Sequence, residues 1–379
     1  MLKEEAVRRR QEEVATGGDG PALPDGLAPI GPEPAPRPGE ILALVVARNE
    51  ELRLPAGLRH LWRLGVDRVI FVDNLSTDAT ARIAAADPRV HVFTAPGNYA
   101  ASRYGITWTN ALLDRYARGH WVLTVDVDGL LVFPGCDRGV GLRALCDHLD
   151  SIGSEAMRSF LLDCFPAGPL HALGYTPEQE LTEAAPFFEP PDPLYTKPSP
   201  DFPYEFEYGG IRERLFFPEA DPRRPARWLH QKAYNLAWKL AVLREATWFK
   251  ALAPQRSPTL TNVPLARWRE GARYIAATHT MAPMRMAPSQ PSAVLLHYKF
   301  LQDFHERALD AVARKIHYDG SREYRRYLAA LERDPEFSLH GPRSLRYEGP
   351  DQLVSLGLMR DTPEWRRARE AAVDDTAAR

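Results

Sequence analysis

The chain has 379 residues, with 48 Lys and Arg against 50 Asp and Glu, 44% hydrophobic residues and 26% charged residues. Such a composition excludes wholesale disorder, and the near balance of charge excludes a general attraction to nucleic acid or anionic lipid, so any phosphate binding must be local. The length accommodates one large domain or two smaller ones.

The first residues, MLKEEAVRRRQEEV, are charged and lack the apolar core of a secretory signal. A short helix over residues 3–14 would have nothing evident to pack on. Residues 15–39 are rich in Gly and Pro, so 1–39 is expected to be a flexible leader. The pattern changes at residue 41. Residues 41–47 (ILALVVA) form a continuous apolar run, as expected of a strand buried on both faces of a parallel sheet. Leu54, Leu58, Leu61 and Trp62 recur at helical spacing. Residues 69–72 (VIFV) predict a second buried strand, 78–86 a short helix stopped at Asp87-Pro88, and 90–93 a third strand. Residues 101–118 predict a helix ended by Gly119, and 121–125 (WVLTV) a fourth strand. Strands alternating with helices imply a parallel, doubly wound α/β sheet. Residues 166–204 hold ten prolines, which exclude regular structure for much of that stretch and mark it as a functional loop or lid. Residues 293–300 (AVLLHYKF) predict a further strand, and a helical tail follows from residue 303, with Phe304, Ala308, Ala311, Val312 and Lys315 at helical spacing.

Cys136, Cys146 and Cys164 are an odd number and lack the short spacings of zinc sites, so they read as reduced thiols in a reducing, cytoplasmic compartment. No apolar run approaches the roughly 18 residues a membrane span requires.

Ligands of parallel α/β sheets bind outside the carboxyl ends of the strands. That rule selects Arg48-Asn49-Glu50, Asp73-Asn74 and Asp126-Val127-Asp128. GxGxxG is absent after the first strand, and GxxxxGK[ST] is absent altogether, which argues against dinucleotide oxidoreductases and P-loop NTPases. Two carboxylates one residue apart at a strand end suit Mg²⁺ or Mn²⁺, leaving the ion's remaining positions for diphosphate oxygens. Such an ion neutralises charge developing on a departing diphosphate. Asp73 precedes Asn74-Leu75-Ser76-Thr77-Asp78, where Ser76 or Thr77 is expected to cap the next helix, leaving Asp73 to hydrogen-bond a base or ribose.

The runs VARNE (46–50), VIFVDNLSTDAT (69–80) and WVLTVDVDGLLVFPG (121–135), in that order and spacing, resemble glycosyltransferase family 2, its family-2-like bacterial branch in particular. The similarity continues through 104–121, GGIRERLF (209–216), LTNVPLARW (260–268) and LLHYKFL (295–301), most of residues 41–330. The resemblance implies a GT-A domain over residues 40–302, a Rossmann-like, mostly parallel sheet flanked by helices. The Pro-rich insertion at 166–204 is hypothesised to border the acceptor side, and a helical C-terminal extension is expected over 303–379. It implies metal-dependent transfer from a nucleotide-diphosphate sugar, a UDP-sugar by preference, to a saccharide acceptor, with inversion, in cell-surface glycan synthesis. By the same resemblance Ala47, Glu50, Asp73 and Arg103 lie along the nucleotide. Asp126 faces the ribose and the metal, and Asp128 ligates Mn²⁺ or Mg²⁺. A late histidine, His297 first and His279 second, completes the metal or diphosphate contact. Inversion needs a carboxylate base. The sequence does not place that base; Glu213 is a guess, and the alternative is that it pairs on the surface with Arg212 or Arg214. The aromatic stretch at 202–208 is placed to stack on sugar faces or to pack in the core.

Two positions depart from the family pattern: Gly129 stands where Glu usually follows the aspartates, and Asn262 where Lys is usual. They motivate a second reading, a non-catalytic GT-A domain that binds nucleotide or glycan. A third starts from VDVDGLLV, which resembles the first motif of haloacid-dehalogenase phosphatases. That motif would need Thr or Val where Leu130 stands, a later acidic pair other than Asp374-Asp375 of the polar tail, and a place at the start of its domain.

Overall fold

The computed structural model describes residues 22–97, 99–198, 205–223, 257–275, 277–314 and 318–377. The expected helix at 3–14, Lys315 and the first three residues of the aromatic stretch, Phe202 to Tyr204, lie outside them. The chain begins with β1 (Ala28–Ile30), β2 (Ile41–Ala47), α1 (Leu54–Arg63), β3 (Arg68–Asp73), α2 (Thr80–Ala85), β4 (Val90–Thr94), α3 (Ile106–Tyr116) and β5 (Trp121–Thr124). Next come β6 (Gly129–Val132), α4 (Leu142–Ser151), β7 (Ala156–Phe165), α5 (Leu181–Ala184), β8 (Phe187–Phe188), β9 (Tyr195–Pro198), β10 (Glu205–Tyr208) and α6 (Gly210–Phe216). The last third holds β11 (Thr261–Arg267), β12 (Arg273–Tyr274), β13 (Met281–Ala282), β14 (Ala293–His297), α7 (Phe304–Arg314), α8 (Tyr318–Arg333), β15 (Leu345–Arg346), α9 (Pro350–Ser355) and α10 (Pro363–Ala377).

The large sheet runs β1-β4-β3-β2-β5-β11-β7-β14-β6, with β8 and β15 joined beside β7. The βα units place β4, β3, β2 and β5 in parallel register, as the alternating pattern predicts. The second half is mixed: β11 is antiparallel to β5 and β7, whereas β14 is parallel to β7 and antiparallel to β6. Apolar residues on both faces of β2 explain its central place. Ile41, Ala43 and Val45 pack with Leu54, Leu58 and Leu61 of α1 and with Leu142, Leu145 and Leu149 of α4. Leu42 and Leu44 pack on the opposite side with Ile106, Leu112 and Leu113 of α3. Each such fully buried aliphatic side chain contributes roughly 1.5–3 kcal/mol. Among the described residues no helix is long and apolar enough to cross a membrane.

Three expectations change in detail. Within the stretch read as a flexible leader, β1 adds antiparallel to the edge strand β4, and Leu27 is buried in the α3-side core, so residues 27–30 are part of the fold. The Pro-rich insertion is also folded over its described part. It carries α5, β8 and β9, and Tyr175, Leu181 and Phe188 are buried against β7 and β14, because apolar side chains between the prolines find a core. The helical segment after residue 303 is not a mere appendage. Trp365 of α10 is fully buried among Phe133, Val140 and the α4 leucines, and its indole N–H donates to the Pro134 carbonyl oxygen at 3.0 Å.

Candidate functional site

The carboxyl ends of β2, β3 and β5 lie side by side, with Ala47 opposite Asp73 in register. The two loops that follow β2 and β3 are stitched to each other. Asn49 N–H donates to Ser76 Oγ (3.0 Å), and Thr77 N–H to Asn49 Oδ1 (2.8 Å). Glu50 N–H donates to Thr80 Oγ1 (2.7 Å), and Ala79 N–H to Glu51 Oε2 (2.8 Å). Neither Ser76 nor Thr77 caps α2, contrary to expectation. Asp78 and Glu51 receive the first free N–H groups of that helix, because the neighbouring loop supplies acceptors that local sequence does not reveal. Both carboxylate oxygens of Asp73 face the Ser76 N–H at 3.3 and 3.2 Å, so this buried aspartate also holds its own turn.

Asp126 and Asp128 do not alternate along a strand: β5 stops at Thr124, and residues 126–129 make a tight turn closed by Gly129 N–H to the Asp126 carbonyl oxygen at 3.0 Å. Helix α1 presses on this turn. A Cβ on Gly57 would stand 2.9 Å from the Val127 carbonyl oxygen, so glycine is what permits the approach. Tyr298 N–H donates to the Asp128 carbonyl oxygen at 2.7 Å and fixes the other side. The turn is clamped from both halves of the sheet.

The two carboxylates then differ. Asp128 is buried; burial alone would raise its pKa, but the charges of His297, Arg307, Arg53 and Lys299 outweigh it and hold Asp128 below the usual carboxylate range. Asp126 is exposed, yet walled closely enough that burial, and then the Asp128 charge, push it up to about 6. Among the described residues its carboxylate makes no hydrogen bond or ion pair.

His297 ends β14, opposite Asp163 of β7 and Gly129 of β6. Its Nδ1 lies 2.7 Å from Asp163 Oδ1, and its Nε2 lies 3.5 Å from Asp128 Oδ2. Behind Asp163, Arg212 of α6 donates from Nε to Oδ2 at 2.7 Å and approaches Glu323 of α8 at 3.5 Å. Glu323 also receives Lys299 Nζ at 3.1 Å and the Tyr327 hydroxyl. Burial opposes the Glu323 charge, but Lys299 and Arg212 hold it down at about 2. A second group flanks the first: Glu50 pairs with Arg307, and Arg53, fully buried, grips Asp303 through two hydrogen bonds of 2.6 Å.

Other expected residues are placed differently. Arg103, in a left-handed turn before α3, donates to the Ile275 carbonyl oxygen at 3.1 Å, not to Asp73, Asp126 or Asp128. Glu50 faces arginines of the protein. Nδ1 of His279 is bonded to the Thr261 carbonyl oxygen at 2.7 Å. Glu213 is not a surface partner of Arg212 or Arg214, which pair with Asp163 and Glu189. It is buried, accepting from Tyr195 (2.7 Å) and Ser257, beside a depression lined by Gly209, Gly210, Arg214 and Arg223. Asn262 is buried with Oδ1 receiving Thr278 at 2.9 Å, and Gly129 has an ordinary backbone conformation with room for a Cβ. Asp163, Arg307, Arg53, Lys299 and Glu323 escaped the sequence reading; the one available signal was a carboxylate interrupting the apolar run LLDCF around Asp163.

No group of three His, Cys, Asp or Glu side chains set to hold a metal occurs among the described residues. The donors nevertheless fit a hard divalent cation of the Mg²⁺ or Mn²⁺ kind. Such ions take one or two carboxylates and draw the rest of their shell from phosphate and water, and the unpartnered Asp126 carboxylate beside charged Asp128 leaves a repulsion that a cation relieves.

Residues 43–132, from within β2 to the end of β6 and including both aspartates, match the family model "Glycosyl transferase family 2", which supports a family-2 glycosyltransferase-like domain there. No curated protein matches the chain. Among solved structures, 4-diphosphocytidyl-2C-methyl-D-erythritol synthase is similar at 19% identity over 36% of this chain and 64% of that one, with a TM-score of 0.24. The chain therefore spans less than two thirds of that structure, and a likeness at this score carries no argument about activity.

Proposed function

We propose that the protein is a metal-dependent, inverting glycosyltransferase that moves a sugar from a nucleotide-diphosphate sugar, a UDP-sugar by preference, to a saccharide acceptor. The observation that carries this reading is the turn holding Asp126 and Asp128 inside a family-2-like domain, at the strand edge where α/β sheets bind nucleotides. Asp126 and Asp128 would hold Mn²⁺ or Mg²⁺, with Nε2 of His297 on the Asp128 side. The ion would supply Lewis-acid stabilisation of the departing diphosphate. Lys299 and Arg307 add positive charge within reach of both aspartates, which favours an anionic ligand there. The edge formed by Ala47, Asp73 and the stitched loops would receive the nucleoside.

Inversion requires removal of the acceptor hydroxyl proton by a carboxylate. Glu213 remains the candidate, held by Tyr195 and Ser257 in the wall of its depression. The Pro-rich segment, which contributes Asp192 and Pro193 to that wall, is proposed to border the acceptor. Because Tyr175, Leu181 and Phe188 within it are core residues, its role is better probed by point changes at its exposed positions than by deletion.

A panel of nucleotide sugars with Mn²⁺, scored for UDP and GDP release in the presence and absence of glycan acceptors, tests the reading. Release that requires Mn²⁺ and favours one donor is expected. Binding of UDP and Mn²⁺ without release or transfer across the panel would instead favour the non-catalytic reading that Gly129 and Asn262 motivate.

A further inference from the structure

The proposed role of Asp128 and His297 leaves the buried charges behind them unexplained. Asp163, Arg212 and His297 are each less than one tenth exposed, and a buried ion pair by itself adds little stability over apolar side chains of similar size. Their order is specific. Asp163 receives Arg212 on one oxygen and faces His297 on the other, both at 2.7 Å. An ionised carboxylate has no proton to give, so the proton in the Asp163–His297 bond belongs to Nδ1 of the ring. Nε2 is then the ring atom left facing Asp128, at 3.5 Å. That distance is too long for a good hydrogen bond.

We propose that Asp163, itself oriented by Arg212, is a positioning residue that commits His297 to the Nδ1-protonated tautomer and presents Nε2 to the cation site beside Asp128. The proposal rests on the donor-binding reading above. It extends that site one layer inward, onto β7 and α6, outside the family-2 match. The chemistry resembles the general carboxylate–histidine–metal pattern, in which the outer carboxylate fixes the tautomer of the ligating ring.

Arg212 makes the decisive variant predictable. In Asp163→Asn the amide oxygen must face Arg212, which can only donate, so the NH₂ group faces His297 and donates to Nδ1. The proton moves to Nε2 while the shape of the side chain is retained. Two measurements on the 379-residue chain follow. In ¹⁵N-histidine long-range correlation spectra without metal, with His297 assigned by loss of its signals in His297→Gln, wild type shows the Nδ1–H tautomer and Asp163→Asn the Nε2–H tautomer. In calorimetric titrations of Mn²⁺ with UDP, Asp163→Asn binds about 10–100-fold more weakly than wild type, with its thermal midpoint monitored in parallel.

A wild-type spectrum of the Nε2–H form overturns the proposal, and it needs no variant to fold. So does an Asp163→Asn protein with the flipped tautomer and Mn²⁺–UDP affinity within twofold of wild type. If wild type itself binds no Mn²⁺–UDP, the donor-binding reading fails, and the wild-type spectrum still decides whether Asp163 sets the tautomer.

Discussion

The parallel half of the sheet, β4-β3-β2-β5, and the mixed half, β11-β7-β14-β6, reach the same site by different physical means. The first is sealed by aliphatic side chains on both faces and offers mostly backbone ends, short loops and three aspartates, Asp73, Asp126 and Asp128. The second brings charge into its interior: Asp163, His297, Lys299 and Arg212 are all buried and linked. The contrast teaches that the parallel half is held mainly by apolar packing, whereas the mixed half sets the charge and hydrogen bonding around the aspartates. The helices after residue 303 serve both, packing on the first through Trp365 and pairing with its charged residues through Asp303 and Arg307.

The largest expected effect tests whether those helices are integral. Trp365→Ala should destabilise by about 3–5 kcal/mol through its cavity, read from urea unfolding; a change below about 1 kcal/mol would separate α10 from the core. Asp303→Ala leaves the buried Arg53 guanidinium with only the more distant Glu50 carboxylate, 3.5 Å away, and should cost about 3 kcal/mol, measured in the same way. The parallel half has its own titrating feature. Burial holds His60 down at about 4, with Nε2 bonded to the Leu131 carbonyl oxygen at 2.8 Å. Below the ordinary histidine value of about 6.5 the unfolded chain takes up a proton that the folded ring refuses, so stability falls as pH drops from 6.5 toward 4. This contribution is on the order of 2 kcal/mol by pH 4, and the stability–pH curve of His60→Gln should be correspondingly flatter. The smallest effect is at the stitched loops. Asn49→Ala removes the acceptor for Thr77 and should cost about 1 kcal/mol, detectable as a shift in thermal midpoint.

How much was legible in the sequence follows the same division. Residues 41–47 were read as a buried strand with the bounds that β2 has, because a strand covered on both faces is apolar at every position. The turn with Asp126 and Asp128 was found because it follows the fourth such strand. In the mixed half only β14 and the helix from residue 304 showed themselves. The bond between His297 and Asp163 joins residues 134 apart, and that between Arg53 and Asp303 residues 250 apart. No local period announces such pairs. The surface-pairing alternative for Glu213 fails for the same reason: its partners, Tyr195 and Ser257, come from distant segments. Arg103 follows the right strand, yet a left-handed turn sends its side chain to Ile275.

The central claim is that the Asp126–Asp128 turn receives a nucleoside diphosphate together with a divalent cation. Calorimetric titration of UDP and Mn²⁺ into wild type and Asp128→Ala tests it most directly. Wild type should show binding that requires both components, and Asp128→Ala should lose it while keeping a cooperative unfolding transition. Equal, Mn²⁺-dependent affinity for UDP in the two proteins would contradict the account.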